Sequence, residues 1–250
     1  MDTVLKAEGL VKEFSGFRAV SNVSFAVRRG SVHALIGPNG AGKTTCFNLL
    51  TKFLEPTAGA IQLNGRDITG QSPDAVARLG VVRSFQISAV FNNLTVIENV
   101  RLALQRRRGG SYDFWRSSAV LAELEPRARE LIADVGLDEF ADTPAGELAY
   151  GRKRALELAT TLALEPEVML LDEPTAGMGH EDVGRITALI RTAARGRTVL
   201  MVEHNLGIVA ELCDRITVLA RGEVLAEGDY ATVSKDPRVV EAYIGAAGHA

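Results

Sequence analysis

The stretch LIGPNGAGKTTCFNLL, residues 35–50, sets three glycines, a proline and one lysine between an apolar run and a helical pattern. Gly37-Pro38-Asn39-Gly40-Ala41-Gly42-Lys43-Thr44, continued by Thr45, fits G-x-x-x-x-G-K-[ST] at every fixed position. Glycines let the backbone curl so that successive N–H groups point inward at phosphate oxygens, and the helix that follows adds its positive N-terminal end. In such a loop the lysine, Lys43, reaches the β- and γ-phosphates and the Thr44 hydroxyl binds Mg²⁺. The stretch therefore predicts a buried strand, a phosphate-binding loop and a helix from about Lys43 to Phe53. That helix has to stop before Glu55-Pro56, because the residue ahead of a proline is pushed out of the helical region.

Working outward, residues 4–36 alternate β-rich pieces (TVLKAEGL, AVSNVSFAV, SVHALIG) with Gly and Ser clusters, the pattern of several strands feeding the loop. Downstream, GAIQLNG reads as a strand and turn. SPDAVARLG is a short helix with Ser72 as cap, Pro73 in its first position and Gly80 behind it, and VVRSFQ is a strand. From Thr95 to about Glu165 the character turns helical. It begins with a capping box, Thr95-Val96-Ile97-Glu98, and helical spacing resumes from Ser118 to Val135 before Gly136. EVMLLDEP and RTVLMVEH are short apolar runs bounded by turns, the mark of strands buried on both faces of a mostly parallel sheet. A helix from about Glu181 to Ala194, closed by Gly196, joins them as a right-handed crossover. The fold class is α/β: a phosphate-loop NTPase core of mixed, mostly parallel sheet, with an N-terminal antiparallel β part and an inserted α-helical subdomain. The chain reads as one domain over residues 1–250, with the helical insert at 95–165 and a helical tail at 228–250.

A phosphate cradle needs a metal partner and a means of activating water, and VMLLDEPTAG supplies Asp172 and Glu173 at the C-terminal end of a buried strand, the edge where open α/β sheets bind ligands. Asp172 is the candidate Mg²⁺ holder through water, and Glu173 the group that orients and deprotonates the attacking water. LMVEHNLG ends the neighbouring strand at His204, placed to contact the γ-phosphate and help hold that water. Gln86, closing VVRSFQ, can ligate Mg²⁺ through its amide oxygen.

Composition narrows the function classes. The 250 residues carry 46% hydrophobic and 24% charged residues and a formal net charge of −3, so there is no global field to draw in nucleic acid. The one basic run, Arg106 to Arg108, falls near the C-terminal end of a helix, where the dipole favours cations. Cys46 and Cys213 lie far apart without C-x-x-C or paired His spacing, which indicates neither a zinc site nor a disulfide framework and fits a reducing cytosol. The N-terminus lacks a signal-peptide pattern, and no apolar run approaches the ~20 residues a membrane span needs, so a membrane role comes through a partner.

Taken in order, GPNGAGKTT, RSFQ, LAYGRKRALELA, LLDEPTAG and VEH resemble the ATP-binding subunit of ABC transporters over essentially the whole chain. The resemblance implies an ATPase with ATP and Mg²⁺ as cofactors, peripheral on the cytoplasmic face of the inner (plasma) membrane. It implies a second ATP-binding subunit, identical or not, two transmembrane permease subunits, and a periplasmic or extracellular solute-binding protein. Two such subunits close head to tail, each ATP lying between the phosphate loop of one and the signature helix of the other. By the same resemblance Gln86 is the loop glutamine that senses Mg²⁺, and Leu148, Ala149, Tyr150, Gly151 and Arg152 are the signature facing the partner's ATP. Phe14 in VKEFSGF is the aromatic that stacks on adenine, with Phe17, or a core role for Phe14, as alternatives. Ala149 stands where the signature usually has Ser, Tyr150 and Arg152 replace Gly and Gln, and Gly179 stands where Asp or Asn is frequent.

GVVRSFQISAVFNNLTVIENV and the tail SKDPRVVEAYIG resemble more narrowly the branched-chain amino acid importer branch, with lipopolysaccharide-export ATPases as the nearest rival and a soluble ABC ATPase as a further alternative. Residues Ile87 to Leu94, with apolar Val90 and Phe91 in a connecting loop, are expected to form the surface that meets the permease.

Overall fold

The computed structural model of the chain describes residues 2–84, 90–107 and 119–247. It divides into two compact units, one of Met1–Arg83, Glu167–Glu173 and Ala194–Ala250, the other of Ser84–Pro166 and Pro174–Ala193.

In the first unit, β1 (Thr3–Phe14) and β2 (Phe17–Arg28) form an antiparallel hairpin. Its two loop residues, Ser15 and Gly16, both have positive φ, the turn geometry that matches the twist of a hairpin. The phosphate loop follows β3 (Val32–Ile36) and leads into α1 (Lys43–Leu50). This helix is shorter than the sequence predicts: Thr51 folds its hydroxyl back onto Phe47 O and Lys52 takes a left-handed backbone, so the helix ends three residues before Phe53. β4 (Ala58–Leu63) and β5 (Arg66–Asp67) complete a four-stranded sheet of order β2-β1-β4-β5. α2 (Pro73–Arg78), capped by the Ser72 hydroxyl at Ala75 N–H, precedes β6 (Val81–Ser84).

The other strands and helices, in chain order, are α3 (Val96–Arg107), α4 (Ala119–Asp134), α5 (Tyr150–Ala163), β7 (Val168–Asp172), α6 (His180–Ala193), β8 (Thr198–Val202), α7 (Leu206–Leu212), β9 (Arg215–Ala220), β10 (Glu223–Gly228), α8 (Tyr230–Val233) and α9 (Pro237–Ala247). The larger sheet runs β10-β9-β3-β8-β7-β6, with β3 parallel to both β8 and β9 and β7 parallel to β8. Every residue of β7 and β8 is buried, which is why both read as unbroken apolar runs. Parallel alignment brings the C-terminal ends of β3, β7 and β8 to one edge. Beneath it, Cys46, Phe47, Leu49 and Leu50 of α1 join one apolar core with Leu35, Leu170, Leu200, Val202 and residues of the smaller sheet.

In the second unit α3 packs on α4 and α5, and α5 also packs on α6. The capping box forms as the sequence predicts: Glu98 accepts from Thr95 N–H at 2.8 Å and the Thr95 hydroxyl accepts from Glu98 N–H at 3.3 Å. α3 ends at Arg107, so Arg106 sits in its last turn, while Arg108 lies outside the described residues. Of the expected permease surface, Ile87 to Ala89 also lie outside them. Val90 is buried, contrary to its expected place on that surface, and Phe91 is 57% exposed.

One buried group makes stability depend on pH. His33 in β3 is fully buried, its Nε2 shares a 2.8 Å hydrogen bond with the Thr217 hydroxyl, and burial pushes its pKa down to about 4 from 6.5. Below pH 6.5 the unfolded chain takes up a proton that the folded chain refuses, so stability falls as pH falls, until about pH 4. At 1.36 kcal/mol per pKa unit the loss reaches about 3 kcal/mol. His33→Gln is expected to flatten that part of the pH profile in urea unfolding at pH 7 and pH 4.5.

Candidate functional site

The phosphate loop closes on itself and on its surroundings. Gly37 has φ +151, and a Cβ there would lie 2.1 Å from Leu219 O, so only glycine fits between the end of β3 and β9. Ala41 O accepts from Gly222 N–H at 3.1 Å, a second tie to the β9–β10 turn. Pro38 and Thr45 are partly buried, while Asn39, Gly40 and Thr44 are exposed at the tip and mouth. α1 starts at Gly42 with no side chain capping its first amides and no acidic residue in its first turn. Its N–H groups are thereby left for an anionic ligand, with the helix dipole favouring it. Lys43 is buried, and its ammonium donates to Gly37 O at 2.7 Å and Pro38 O at 2.9 Å. Burial lowers its pKa, and the charges of Glu173 and Asp172 oppose that shift. Gly37→Ala is expected to cost at least about 2 kcal/mol by overpacking. Gly40→Ala, where a Cβ meets nothing within 4 Å, is expected to cost less in the same urea titration.

Asp172 is the last residue of β7 and pairs in register with Val202 of β8. Glu173 then takes a left-handed backbone, φ 46, an uncommon conformation for a residue with a side chain and one that collects at functional sites. Its N–H still donates to Val202 O at 2.9 Å, closing a last rung between the strands. From there Glu173 Oε1 meets His204 Nε2 at 2.8 Å. β8 stops at Val202, two residues short of the His204 end expected from sequence, because the chain turns around the buried Glu203 carboxylate. That carboxylate accepts from His204 N–H at 2.7 Å and Asn205 N–H at 2.9 Å, and Asn205 in turn caps α7. The arrangement is a carboxylate and an imidazole joined at the sheet edge that carries the phosphate loop, suited to holding and deprotonating a water.

The protein oxygens on offer to a metal are hard donors, the Thr44 hydroxyl and the Asp172 carboxylate. Among the described residues no group of three or more His, Cys, Asp or Glu side chains could cage a metal by itself. Such a sparse set fits Mg²⁺ arriving with phosphates, since Mg²⁺ keeps several waters and takes one or two protein oxygens. Gln86 lies outside the described residues.

At the hairpin tip Phe14 is 39% exposed and Phe17, its cross-strand partner, 68% exposed, which overturns a core role for Phe14. The Lys12 ammonium lies 5.1 Å from the Phe14 ring centroid. Either ring is free to stack on a planar ligand.

In the second unit Leu148 is buried and Ala149 opens α5 without a side-chain cap. Gly151 lies inside the first turn of the helix. A Cβ at Gly151 would meet the Asp182 carboxylate of α6 at 2.6 Å, so that side chain would have to shift to admit it. The Tyr150 hydroxyl donates to Ala176 O at 3.1 Å and accepts from Arg154 at 2.9 Å, and Arg154 is paired at 2.8 Å with Glu157 in the buried part of the helix. Arg152 stacks its guanidinium on Phe140, 4.0 Å from the ring centroid.

Sequence reasoning missed Glu203, which shapes the His204 turn, and Arg83, which pairs with Asp172. The available signal for Arg83 was a lone charge in the otherwise apolar start of VVRSFQ.

Residues 20–176 match the ABC transporter family, and residues 223–249 the Branched-chain amino acid ATP-binding cassette transporter family. The high-affinity branched-chain amino acid transport ATP-binding protein BraF of Pseudomonas aeruginosa is 38% identical over 254 residues, covering 98% of both chains. LivG of Salmonella typhimurium, named likewise, is 38% identical over 251 residues, again with 98% of each chain covered. Among solved structures, the ADP conformation of MJ1267, an ATP-binding cassette of an ABC transporter, superposes with a TM-score of 0.84 at 31% identity, covering 98% of this chain and 100% of that one.

Proposed function

The chain belongs to the ATP-binding subunits of ABC transporters, an ATP-hydrolysing family, and from that premise we propose that it powers a membrane importer of branched-chain amino acids or related small solutes. The Glu173–His204 pair at the phosphate-loop edge carries the catalytic part of this reading. The solute class is supported by the transport named for relatives alike over 98% of their length, which favours import over lipopolysaccharide export or a role outside transport.

In this reading the phosphate loop binds the ATP phosphates through its amides and Lys43, and Phe14 or Phe17 stacks on the adenine. Thr44, Asp172 and Gln86 would hold Mg²⁺, which would supply charge neutralisation to the phosphates. Glu173 takes the proton of the attacking water, and His204, hydrogen-bonded to it, keeps the carboxylate aimed and contacts the γ-phosphate. Leu148, Ala149, Tyr150, Gly151 and Arg152 serve the ATP of a second ATP-binding subunit, like or unlike this one. The chain works at the cytoplasmic face of the membrane beneath two permease subunits, with an external solute-binding protein delivering the solute. No helix among the described residues is long and apolar enough to cross a membrane.

The test is reconstitution of the complex in proteoliposomes, with ATP on the side of this chain and the binding protein opposite. Leucine, isoleucine or valine uptake that requires hydrolysable ATP is expected. ATP hydrolysis without uptake of any of them would overturn the solute class.

A further inference from the structure

Asp172 is almost wholly buried, its side chain 1% exposed, and it is not alone there. Arg83, 10% exposed at its side chain, donates from Nη2 to Asp172 Oδ2. The second arm of the same guanidinium, Nη1, donates to Asn48 Oδ1 at 2.5 Å, and its Cζ lies 5.8 Å from the Phe47 ring centroid. Asn48 and Phe47 belong to α1, the helix that begins at Lys43, while Arg83 stands on β6, three residues before Gln86 in sequence. One planar group therefore ties the carboxylate at the end of β7 to the helix that carries the phosphate loop.

We infer that Arg83 is a positioning residue for the metal-holding carboxylate: it fixes Oδ2 of Asp172 and leaves Oδ1 to serve the waters of Mg²⁺. The inference rests on the ATPase reading above. Burial argues that the arginine stays in place when the metal arrives, because a guanidinium that swung away would leave the buried Asp172 carboxylate without this charged partner. Its fork is suited to the task, since two donors in one rigid plane set the angle between Asp172 and Asn48, whereas a lysine offers a single rotatable point charge. A freely rotating carboxylate would instead be drawn to Lys43, whose ammonium feels the charge of Asp172.

A competing arginine and an orienting one predict opposite results. Removing a competitor tightens metal binding, and removing a positioning residue weakens it. ATP binding to the purified chain is to be measured in EDTA and across a Mg²⁺ titration, with Mn²⁺ bound in the presence of ATP followed by electron paramagnetic resonance. Arg83→Met is expected to leave ATP binding in EDTA unchanged and to raise the half-saturating metal concentration by about 10-fold or more, the scale for removing a group that orients a metal ligand. Arg83→Lys should recover part of the loss. Should Arg83→Met fail to fold, Asn48→Ala, which frees one arm of the fork, is expected to raise half-saturation in the same direction by a smaller factor. Metal half-saturation that is unchanged or lower in folded Arg83→Met, or unchanged in both Arg83→Lys and Asn48→Ala, overturns the inference. A wild-type chain that bound no ATP in EDTA or with metal would overturn the nucleotide reading itself, and this inference with it.

Discussion

Glu173→Gln is expected to lower ATP hydrolysis by about 10²-fold or more, the scale of losing a general base, while ATP binding persists. The amide is nearly isosteric, so the left-handed backbone at Glu173 and its N–H bond to Val202 O have no reason to change. A glutamine can still meet His204, which separates loss of the base from loss of the local structure. In the proposed mechanism, removing this negative charge should also favour a closed, ATP-loaded pair of subunits. Phosphate release from the assembled complex measures the first effect, and size-exclusion chromatography with light scattering in MgATP the second. Wild-type hydrolysis in the variant would remove Glu173 from the chemistry.

Lys43→Ala is expected to weaken ATP binding by about 10- to 10²-fold or more, since a hydrogen bond from a charged donor is worth roughly 1.5–3 kcal/mol and the ammonium supplies more than one. The Lys43 ammonium donates to Gly37 O and Pro38 O, so the cation stands at the loop and has only to turn to a phosphate. The fold should survive, because a buried ammonium is itself costly and alanine removes that cost along with the two bonds. Titration with a fluorescent ATP analogue reads the affinity and a thermal melt checks the fold. A folded variant with unchanged affinity would contradict the phosphate-binding role of residues 37–45.

Local rules made much of this legible. A loop spacing, a capping box and two fully apolar runs each depend on residues adjacent in sequence, and the loop after β3, the Thr95–Glu98 cap and the buried β7 and β8 are all present. What stayed hidden depends on residues far apart. Arg83 and Asp172 are separated by 89 positions, and only the sheet brings them together. The early end of α1 turns on a left-handed backbone at Lys52, a conformation lysine does not advertise. The carboxylate facing Gly151 of α5 likewise belongs to another helix, where Asp182 stands on α6. Phe14 shows the converse case, in which an apolar residue near a strand end reads equally as core or surface until a two-residue turn sets it at a hairpin tip.

The rung from Glu173 N–H to Val202 O also bears on timing. An amide bonded across the ends of two buried strands is held by the sheet and is expected to exchange more slowly than one in an open loop. Glu173 is thus a clock part mounted on the frame. Its partner His204 rides on a turn pinned by the Glu203 carboxylate, a mount held by two hydrogen bonds instead of by the sheet. In the proposed mechanism, phosphate and water are therefore brought to Glu173, whose backbone is tied to the sheet.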